Sequence, residues 1–488
     1  MKKLFLVFVL VLFTAQFSQA QWMPEVRLTN DPGSSWSPVS NSRPVATSGD
    51  SVHVVWYDDR DGNYEIYYKR SIDGGISWGE DTRLTNAINI SYDPSLAVSG
   101  SVVHVVWSDK RDGSTKVEIY YKRSEDGGST WGVDTRLTFA DSWSESPSIA
   151  IEDSVIHLVW YDYRNATGDW DYEIYYKRST DGGLTWESDV RLTDNPSYSG
   201  FPCVAVSGQI VNVVWEDDRD GTGYEGSVYC KRSADGGATW GSDTRLTDDI
   251  ADAWDPVIAV SGSDVHVVWH DMRDGSFREI YYKRSTDGGT TWGDDTRLTD
   301  AFESSEWPNI AVSGSIVHVV WGDKRDMNFE IYYKRSDNAG LTWEEDTRLT
   351  DAFGDSNWPF VASADSSVHV IWNESKDGNK EIYYKRNPSG NIIVGIENEL
   401  PVNSSLVVSI YPNPASKILN ISFKSPSGEA ITLRFMDMSG KILKTTNFHA
   451  AVGVNQYTIT LEDFSNGLYY IELTMESNRI FRKVIIHK

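Results

Sequence analysis

The stretch Val52-His53-Val54-Val55-Trp56 is the first of seven apolar runs that end in tryptophan. The seven runs recur every 51 to 55 residues, a period typical of propeller blades or solenoid coils. Their last residues are Trp56, Trp107, Trp160, Trp215, Trp269, Trp321 and Trp372. Each unit holds three further strand-like segments separated by glycine-rich turns, and no helical periodicity follows residue 20. We therefore predict an all-β fold in which each unit forms one four-stranded blade of a β-propeller.

The two ends of the repeat indicate how the ring closes. The motif Arg-Leu-Thr begins at Arg27, Arg83, Arg136, Arg191, Arg245, Arg297 and Arg348. The first copy precedes any blade, whereas the last unit ends at Arg386 without a copy of its own. Residues 26–29 are therefore predicted to form the outer strand of the last blade, which would close a seven-bladed ring and leave no open sheet edge.

A glycine-rich turn, Ser71-Ile72-Asp73-Gly74-Gly75-Ile76-Ser77-Trp78, follows the third strand of each of the first six units. Its aspartate can accept backbone N–H groups of its own turn, and its glycines permit positive φ, so we expect a structural role. The aspartates assigned to this role are Asp73, Asp126, Asp181, Asp235, Asp287 and Asp337.

This turn resembles the Asp box, or BNR repeat, of the sialidase superfamily of propellers, over residues 25–386. The resemblance implies a propeller whose boxes lie on the face away from the functional site. Catalytic sialidases of this family use three arginines, a Tyr–Glu pair and an acid/base aspartate, and an Arg-Ile-Pro signature usually precedes their first box. Arg43-Pro44 does not match that signature, and sialidases have six blades, so no catalytic residue is assigned here.

The turn between the second and third strands pairs an arginine with neighbouring carboxylates, as in Asp58-Asp59-Arg60-Asp61-Gly62. Three interpretations stay open: a structural ion-pair network, contact of the arginine with a ligand, or a calcium loop, which is disfavoured because a guanidinium occupies a ligand position. No metal and no cofactor are predicted. The candidate arginines are Arg60, Arg111, Arg164, Arg219, Arg273 and Arg325.

Aromatic residues occur in the links between blades, shortly before a proline. Rings next to arginine and aspartate are typical of sugar sites, because the apolar face of a pyranose stacks on the ring. The alternative is that they cover the inner strands. The candidates in these links are Trp36, Tyr92, Trp143, Tyr198, Trp254, Trp307 and Trp358, and Trp170 joins them from residues 165–171, where the repeat is broken. A second break at 221–225 is the other place to expect a unique site.

The repetition itself favours binding over catalysis. A catalytic centre needs unlike residues at one point, whereas nearly the same Asp, Arg and aromatic set recurs in each blade. We expect several similar weak sites, whose combined avidity would be high, or a scaffold.

The C-terminal segment differs in composition. Its landmarks are Tyr411-Pro412-Asn413-Pro414-Ala415, residues 435–441 and 467–471, and a basic end at 483–488. They resemble the type A sorting domain of the type IX (Por) secretion system of Bacteroidetes. The resemblance implies a small β-sandwich recognised by the type IX secretion machinery at the outer membrane; a terminal adhesion-type sandwich is the alternative.

The N-terminus is predicted to be a signal peptide, residues 1–20, because Lys2 and Lys3 precede a short apolar run and a small-residue site at 18–20. We predict a propeller over 21–386, a linker over 387–405 and the sorting domain over 406–488. The mature chain is expected to have no transmembrane segment and to be secreted or attached to the cell surface after periplasmic export.

Charge and cysteine content narrow the function. The net charge of −26 repels phosphate backbones, which excludes nucleic acid as a partner. Cys203 and Cys230 are predicted on the first and third strands of one blade, about 9.5 Å apart, too far for a disulfide. We therefore expect a binding protein for glycans or glycosylated partners, with a sialidase-type exo-glycosidase and a structural envelope protein as the alternatives.

Overall fold

The computed structural model describes residues 22–39, 41–113, 115–166, 171–220, 226–247, 252–376 and 378–390. In the C-terminal segment it describes 408–411, 416–425, 428, 430–436, 441–462, 464–475 and 478–486. The predicted signal peptide and residues 391–405 of the predicted linker lie outside these ranges. The chain divides into two compact units, residues 1–394 and 395–488. The described residues form strands only, and they include no helix that could cross a membrane.

The first unit consists of antiparallel sheets of four strands, or of five in blade 1, where the inner strand is in two pieces, and this confirms the predicted all-β propeller architecture. The inner strands of blades 1 to 7 are Ser35–Trp36 with Val45–Ser48, Ser91–Ser99, Ser144–Glu152, Ser199–Ser207, Trp254–Ser261, Ser305–Ser313 and Ser356–Ala364. The second strands are Ser51–Asp58, Val102–Asp109, Val155–Asp162, Ile210–Asp217, Asp264–Asp271, Ile316–Asp323 and Ser367–Glu374. Seven such sheets are described, and their inner strands contact one another in a closed ring.

The third strands are Glu65–Ser71, Glu118–Ser124, Glu173–Ser179, Ser227–Ser233, Glu279–Ser285, Glu330–Ser336 and Glu381–Asn387. The outer strands of blades 1 to 6 are Thr82–Arg83, Thr135–Arg136, Val190–Arg191, Thr244–Arg245, Thr296–Arg297 and Thr347–Arg348. Blade 7 takes its outer strand, Val26–Arg27, from the N-terminus, with Val26 paired to Tyr384. The predicted closure of the ring by the N-terminal strand is confirmed.

The core lies between the blades. The seven repeated tryptophans are completely buried, because each second strand is covered on both faces by its neighbours. In six blades a buried histidine of the second strand hydrogen-bonds a tyrosine of the third strand, as His157 Nδ1 does with Tyr176 Oη at 2.8 Å. Blade 4 replaces this pair by Asn212 and Cys230.

The box turns link neighbouring blades. The second glycine of the box in blade 4, Gly237, has positive φ, and a Cβ there would lie 1.9 Å from Tyr176 Oη of blade 3, so only glycine fits. Arg178 of blade 3 also donates a hydrogen bond to Gly236 O at 2.7 Å. The boxes therefore join the ring on the face opposite the links between blades.

Both cysteines are buried free thiols. Cys203 on the inner strand and Cys230 on the third strand pair with Val214 from opposite sides. The predicted placement and the absence of a disulfide between them are confirmed.

The C-terminal unit contains two sheets. The first has the strand order Val408–Tyr411, Ile418–Ser425, Gly453–Thr460, and the second has the order Ile442–His449, Ala430–Met436, Gly467–Met475, Asn478–Ile486. Buried side chains of both sheets, among them Phe423, Ile459, Phe435 and Leu473, form one hydrophobic cluster. This arrangement is a small β-sandwich.

Candidate functional site

One face of the propeller, here called the top face, carries the links between blades and the turns between second and third strands. In blade 2 the inner strand begins at Ser91, opposite Asp109 at the end of the second strand, and Ser91 Oγ donates to that carboxylate at 2.9 Å. The other end of the inner strand, Ser99, lies opposite Val102 on the side of the box turns. The loops of the top face are therefore where the fold can bring different kinds of side chain together in a functional site.

The six candidate arginines form a repeated ion-pair network, here called the arginine rim. Each guanidinium binds the aspartate two residues before it and a second aspartate just before the outer strand, at 2.5 to 2.9 Å. Each also lies 4.3 to 4.5 Å from the ring centroid of a tyrosine. The members are Arg60, Arg111, Arg164, Arg219, Arg273 and Arg325. These contacts favour the structural interpretation, and ligand contact by these arginines stays a prediction.

The candidate aromatics do not occupy equivalent places, which corrects the expectation of nearly identical sites. Trp36, Tyr92 and Trp254 pair with the residue that follows a buried tryptophan. Trp307 and Trp358 stand directly before proline with positive φ. Trp143 and Tyr198 precede the inner strands, and Trp170 lies outside the described residues. The expectation was wrong because the aromatic stands one, two or four residues before the proline in links of equal length, and so falls at different register positions. Sugar binding by these residues stays a prediction.

Three positions of the repeat vary from blade to blade and meet at the centre of the top face. The first follows each buried tryptophan and is occupied by Tyr57, Ser108, Tyr161, Glu216, His270, Gly322 and Asn373. The second precedes each third strand: Tyr64, Val117, Tyr172, Gly226, Arg278, Phe329 and Lys380. Several side chains at the first position contact the next blade, as Glu216 Oε1 does in accepting Asp255 N–H at 2.6 Å. These residues were not among the candidates predicted from the sequence, although their variation within an otherwise regular repeat was a readable signal.

The third variable position precedes the proline of each inner strand in blades 2 to 7. Its residues have φ between +47° and +56°, and the strand register shifts there. They are Asp93, Ser146, Phe201, Asp255, Trp307 and Trp358. Non-glycine residues rarely adopt this conformation, and strained residues of this kind cluster at functional sites. The bulge turns these side chains toward the gaps between blades.

Tyrosines and carboxylates face the successive gaps from blade 1 to blade 4. This group, consisting of Tyr92, Asp93, Glu145, Tyr161 and Tyr172, is here called the tyrosine pocket. Glu145 accepts hydrogen bonds from the hydroxyl groups of Tyr92 and, at 2.9 Å, Tyr161. Burial, together with the negative charge of Glu145, raises the pKa of Asp93 to about 7. The ring of Tyr161 contacts Tyr172 with centroids 5.1 Å apart. This side of the face is acidic and rich in hydroxyl groups.

Blades 4 to 6 contribute a second acidic group. His270 Nδ1 lies 3.5 Å from Asp255 Oδ2, and burial lowers the pKa of this histidine to about 3, so the imidazole is neutral. Arg278 pairs with Glu306 at 3.1 Å. Burial and the charge of Asp255 raise the pKa of Glu216 well above its usual value.

Blades 6 and 7 carry an aromatic surface, here called the tryptophan platform. The half-buried rings of Trp307 and Trp358 are stacked, with centroids 5.0 Å apart and planes 17° from parallel. Phe329 contacts Trp307 at 4.7 Å, and the Lys324 ammonium lies 5.9 Å from the Phe329 centroid.

An insertion in blade 1 closes the centre of the face. Asn41 Nδ2 donates to the carbonyls of Ser146 and Pro202, and Arg43 Nη2 donates to those of Val204 and Ile258. These contacts fix the segment against blades 3, 4 and 5. A cavity of about 260 Å³, lined mainly by small and aliphatic residues of the inner strands, lies along the axis.

The box aspartates act within their turns as predicted in five of six cases. Asp126 Oδ2 accepts the Thr130 hydroxyl at 2.7 Å and Oδ1 accepts the N–H groups of Thr130 and Ser129 at 2.8 and 3.0 Å, and these bonds, the hydroxyl first, lower its pKa to about 2. In blade 6 the assignment to Asp337 was wrong by one residue. Asn338 occupies this place, accepting Thr342 N–H at 2.9 Å, because it stands two residues after Ser336 as the aspartates stand after theirs.

Across the described ranges, no group of three His, Cys, Asp or Glu side chains is arranged to hold a metal ion.

The described fold and the repeated turn define a β-propeller with a separate C-terminal β-sandwich. Residues 100–325 match the BNR repeat-like domain, and residues 409–487 match the secretion system C-terminal sorting domain. The chain therefore contains a BNR repeat-like propeller domain and a type IX (Por) sorting domain. The sorting domain indicates a secreted, cell-surface or extracellular protein and implies interaction with the type IX secretion machinery.

Solved structures share the fold at low identity. Trypanosoma rangeli sialidase in complex with 2,3-difluorosialic acid is 11% identical, with a TM-score of 0.44, covering 83% of this chain and 85% of that one. The Hadza microbial sialidase Hz136 is 15% identical, with a TM-score of 0.42, covering 68% and 75%. The polysaccharide lyase Uly1 is 10% identical, with a TM-score of 0.50, covering 75% and 99%. Among curated proteins no match is found.

Proposed function

We propose that this protein binds glycans, or glycosylated partners, through the top face of its propeller. The observation that supports the proposal best is the tryptophan platform, in which the half-buried rings of Trp307 and Trp358 are stacked. Arg278 and Glu306 supply hydrogen-bonding groups beside it. Aromatic rings next to such groups suit the alternating apolar and hydroxylated surfaces of a pyranose.

A glycan array on the full-length protein, followed by calorimetry with the glycans that bind, tests the proposal. Trp358→Ala should weaken binding by roughly tenfold, since an aromatic anchor contributes about 1–3 kcal/mol. Phe139→Ala is the control, because that ring is exposed, lies in a different link and is not a candidate sugar-site residue. An array without any bound glycan, or equal affinities for the parent and Trp358→Ala, would contradict the proposal.

A sialidase-type glycosidase is the second candidate, favoured by one contact. Glu145 accepts hydrogen bonds from two tyrosines, and catalytic sialidases, which the box turns resemble, use a Tyr–Glu pair. Two features argue against it. The rim arginines are each bound by two carboxylates of their own blade, and the acidic surroundings of Glu145 disfavour a substrate that carries a carboxylate.

Assay with a fluorogenic sialoside separates the two candidates. We expect no turnover by the parent protein. Turnover that Tyr161→Phe or Glu145→Gln abolishes, with an unchanged melting temperature, would establish the enzyme instead.

A further inference from the structure

The tyrosine pocket gathers carboxylates and tyrosine hydroxyl groups, and within the described ranges no cation pairs with its central carboxylate, Glu145. The described cations at its edges are Lys110, beside the Tyr92 ring, and Arg278, near Glu216. The strongest electrostatic influences on Tyr92, Asp93 and Tyr161 come from carboxylates, chiefly Glu145. We propose that this pocket binds the ammonium group of an amino sugar within a larger glycan. The proposal rests on the glycan-binding function above but can fail separately from it.

Glu145 supplies the fixed negative charge of the pocket. Its two oxygens accept hydrogen bonds from Tyr92 and Tyr161, which stand on different blades. Both hydroxyl protons are thereby directed at the carboxylate, and the hydroxyl oxygens keep lone pairs for a donor. An ammonium group has three donors and no acceptor, so it matches a site made of carboxylate and hydroxyl oxygens.

The tyrosines that bind this carboxylate belong to a larger group of aromatic rings. Tyr161 meets Tyr172 and, at 5.6 Å, Phe201, and Tyr172 meets Tyr198 at 5.7 Å. The electron-rich faces of such rings attract cations. The same face already shows the contact once, because the Lys110 ammonium lies 5.3 Å from the ring centroid of Tyr92.

Glu216 bounds the pocket beyond Tyr198 and has an oxygen to spare. The residue is almost completely buried, with 1% of its surface exposed. Oε1 accepts Asp255 N–H, but Oε2 is buried with no hydrogen-bond partner among the described residues. Burial and the charge of Asp255 raise the pKa of Glu216 well above its usual value, against the lowering effect of Arg278, and an ammonium group beside it would favour the ionised form. A buried polar atom left without a partner marks a place where a ligand or a water molecule belongs.

The charge and the donor pattern select the ligand. A sugar carboxylate would be repelled by Glu145 and Asp93, and an acetylated amine has neither the charge nor the donors of an ammonium group. A free amine gains both the carboxylate and the rings. Its charge also favours the ionised form of Asp93, which is close to half protonated near neutral pH.

Calorimetry with two matched probes tests the proposal: a glucosamine oligomer and the N-acetylglucosamine oligomer of the same length. At pH 6.5 the amine oligomer should bind at least about tenfold more tightly. The preference should shrink when the pH is raised to 9, because the sugar amine then loses the charge that Glu145 attracts. Glu145→Gln, nearly the same size, should abolish the preference and its dependence on pH, whereas Trp358→Ala should weaken both probes alike.

Equal affinity for the two probes, or a preference for the acetylated one, would overturn the ammonium site and leave glycan binding intact. A preference that survives in a Glu145→Gln protein of normal melting temperature would overturn it as well. If neither probe binds, the ammonium site is wrong, and the glycan array then decides the proposed function by itself.

Discussion

The arginine rim and the centre of the top face are built from the same repeat under opposite rules. Around the rim, Arg111 and its five counterparts make the same two ion pairs and the same ring contact. At the centre, the seven positions after the buried tryptophans hold six different residue types, from Gly322 to Glu216. The repeated ion pairs hold each blade together, whereas the variable residues give each gap between blades a different set of functional groups. In an internally repeated protein, variation between repeats therefore points to function.

The largest expected effect comes from removing a member of the rim. Arg111→Ala leaves the fully buried carboxylate of Asp109 without its cation and should lower the free energy of unfolding by about 3 kcal/mol. Arg278→Ala is the matched control: its arginine is unrepeated, partly exposed and paired with Glu306, so we expect a loss below about 1 kcal/mol. Denaturant titration measures both, and equal losses would remove the distinction between rim and centre.

A second prediction uses the blade that departs from the buried His–Tyr pair. Burial lowers the pKa of His157 to about 4 from an ordinary 6.5. Between pH 4 and 6.5 this histidine is protonated in the unfolded chain but not in the folded one. The free energy of unfolding is therefore highest above pH 6.5 and falls as the pH is lowered toward 4. The slope is at most about 1.4 kcal/mol per pH unit for each such histidine.

The double variant His157→Asn with Tyr176→Cys copies blade 4 and should flatten the pH dependence of unfolding by the share of one histidine. The parent protein is the control, because all other titrating groups are common to the two. An unchanged slope between pH 4 and 6.5 would show that the buried imidazole does not govern acid stability.

A smaller effect is expected at the box of blade 6. Asn338→Asp restores the carboxylate found in the other boxes and should raise the melting temperature by roughly 1–2 °C at neutral pH. Asp337→Asn, at the exposed neighbouring residue, should change nothing. If Asp337→Asn were the destabilising change, the register of this turn would have to be shifted back by one residue.

The smallest effect is expected for the thiols. Burial raises the pKa of the Cys230 thiol to about 12, so neither this nor the buried Cys203 should react with a thiol reagent at pH 8 until the protein unfolds. Reductant should leave the melting temperature unchanged. A fast reaction of the folded protein would place one of the thiols outside the core.

The sequence alone was sufficient for the scaffold because each scaffold feature is local and repeated. The spacing of Trp56 and its counterparts indicated the blades, and the orphan motif at Arg27 indicated the closing strand. The top-face centre was not predicted, since Tyr161, Glu145 and Tyr92 are brought together only by the packing of two blades. Counting an aromatic before each proline also hid that Trp254 and Trp307 stand at different register positions. One residue of misalignment in an imperfect box was enough to select Asp337 over Asn338.

The closing strand also sets an order of events during synthesis. The ion pair between Arg27 and Glu381 cannot form until Glu381, which lies 354 residues further along the chain, has been synthesised. At about 5–20 residues per second on the ribosome, that delay is roughly 20 to 70 s. The hydrogen bonds of Asn41 and Arg43 likewise cannot form until blades 3, 4 and 5, which supply the accepting carbonyls, have been synthesised. The first segment made is therefore among the last to become native, and until then it remains available to chaperones and translocation factors.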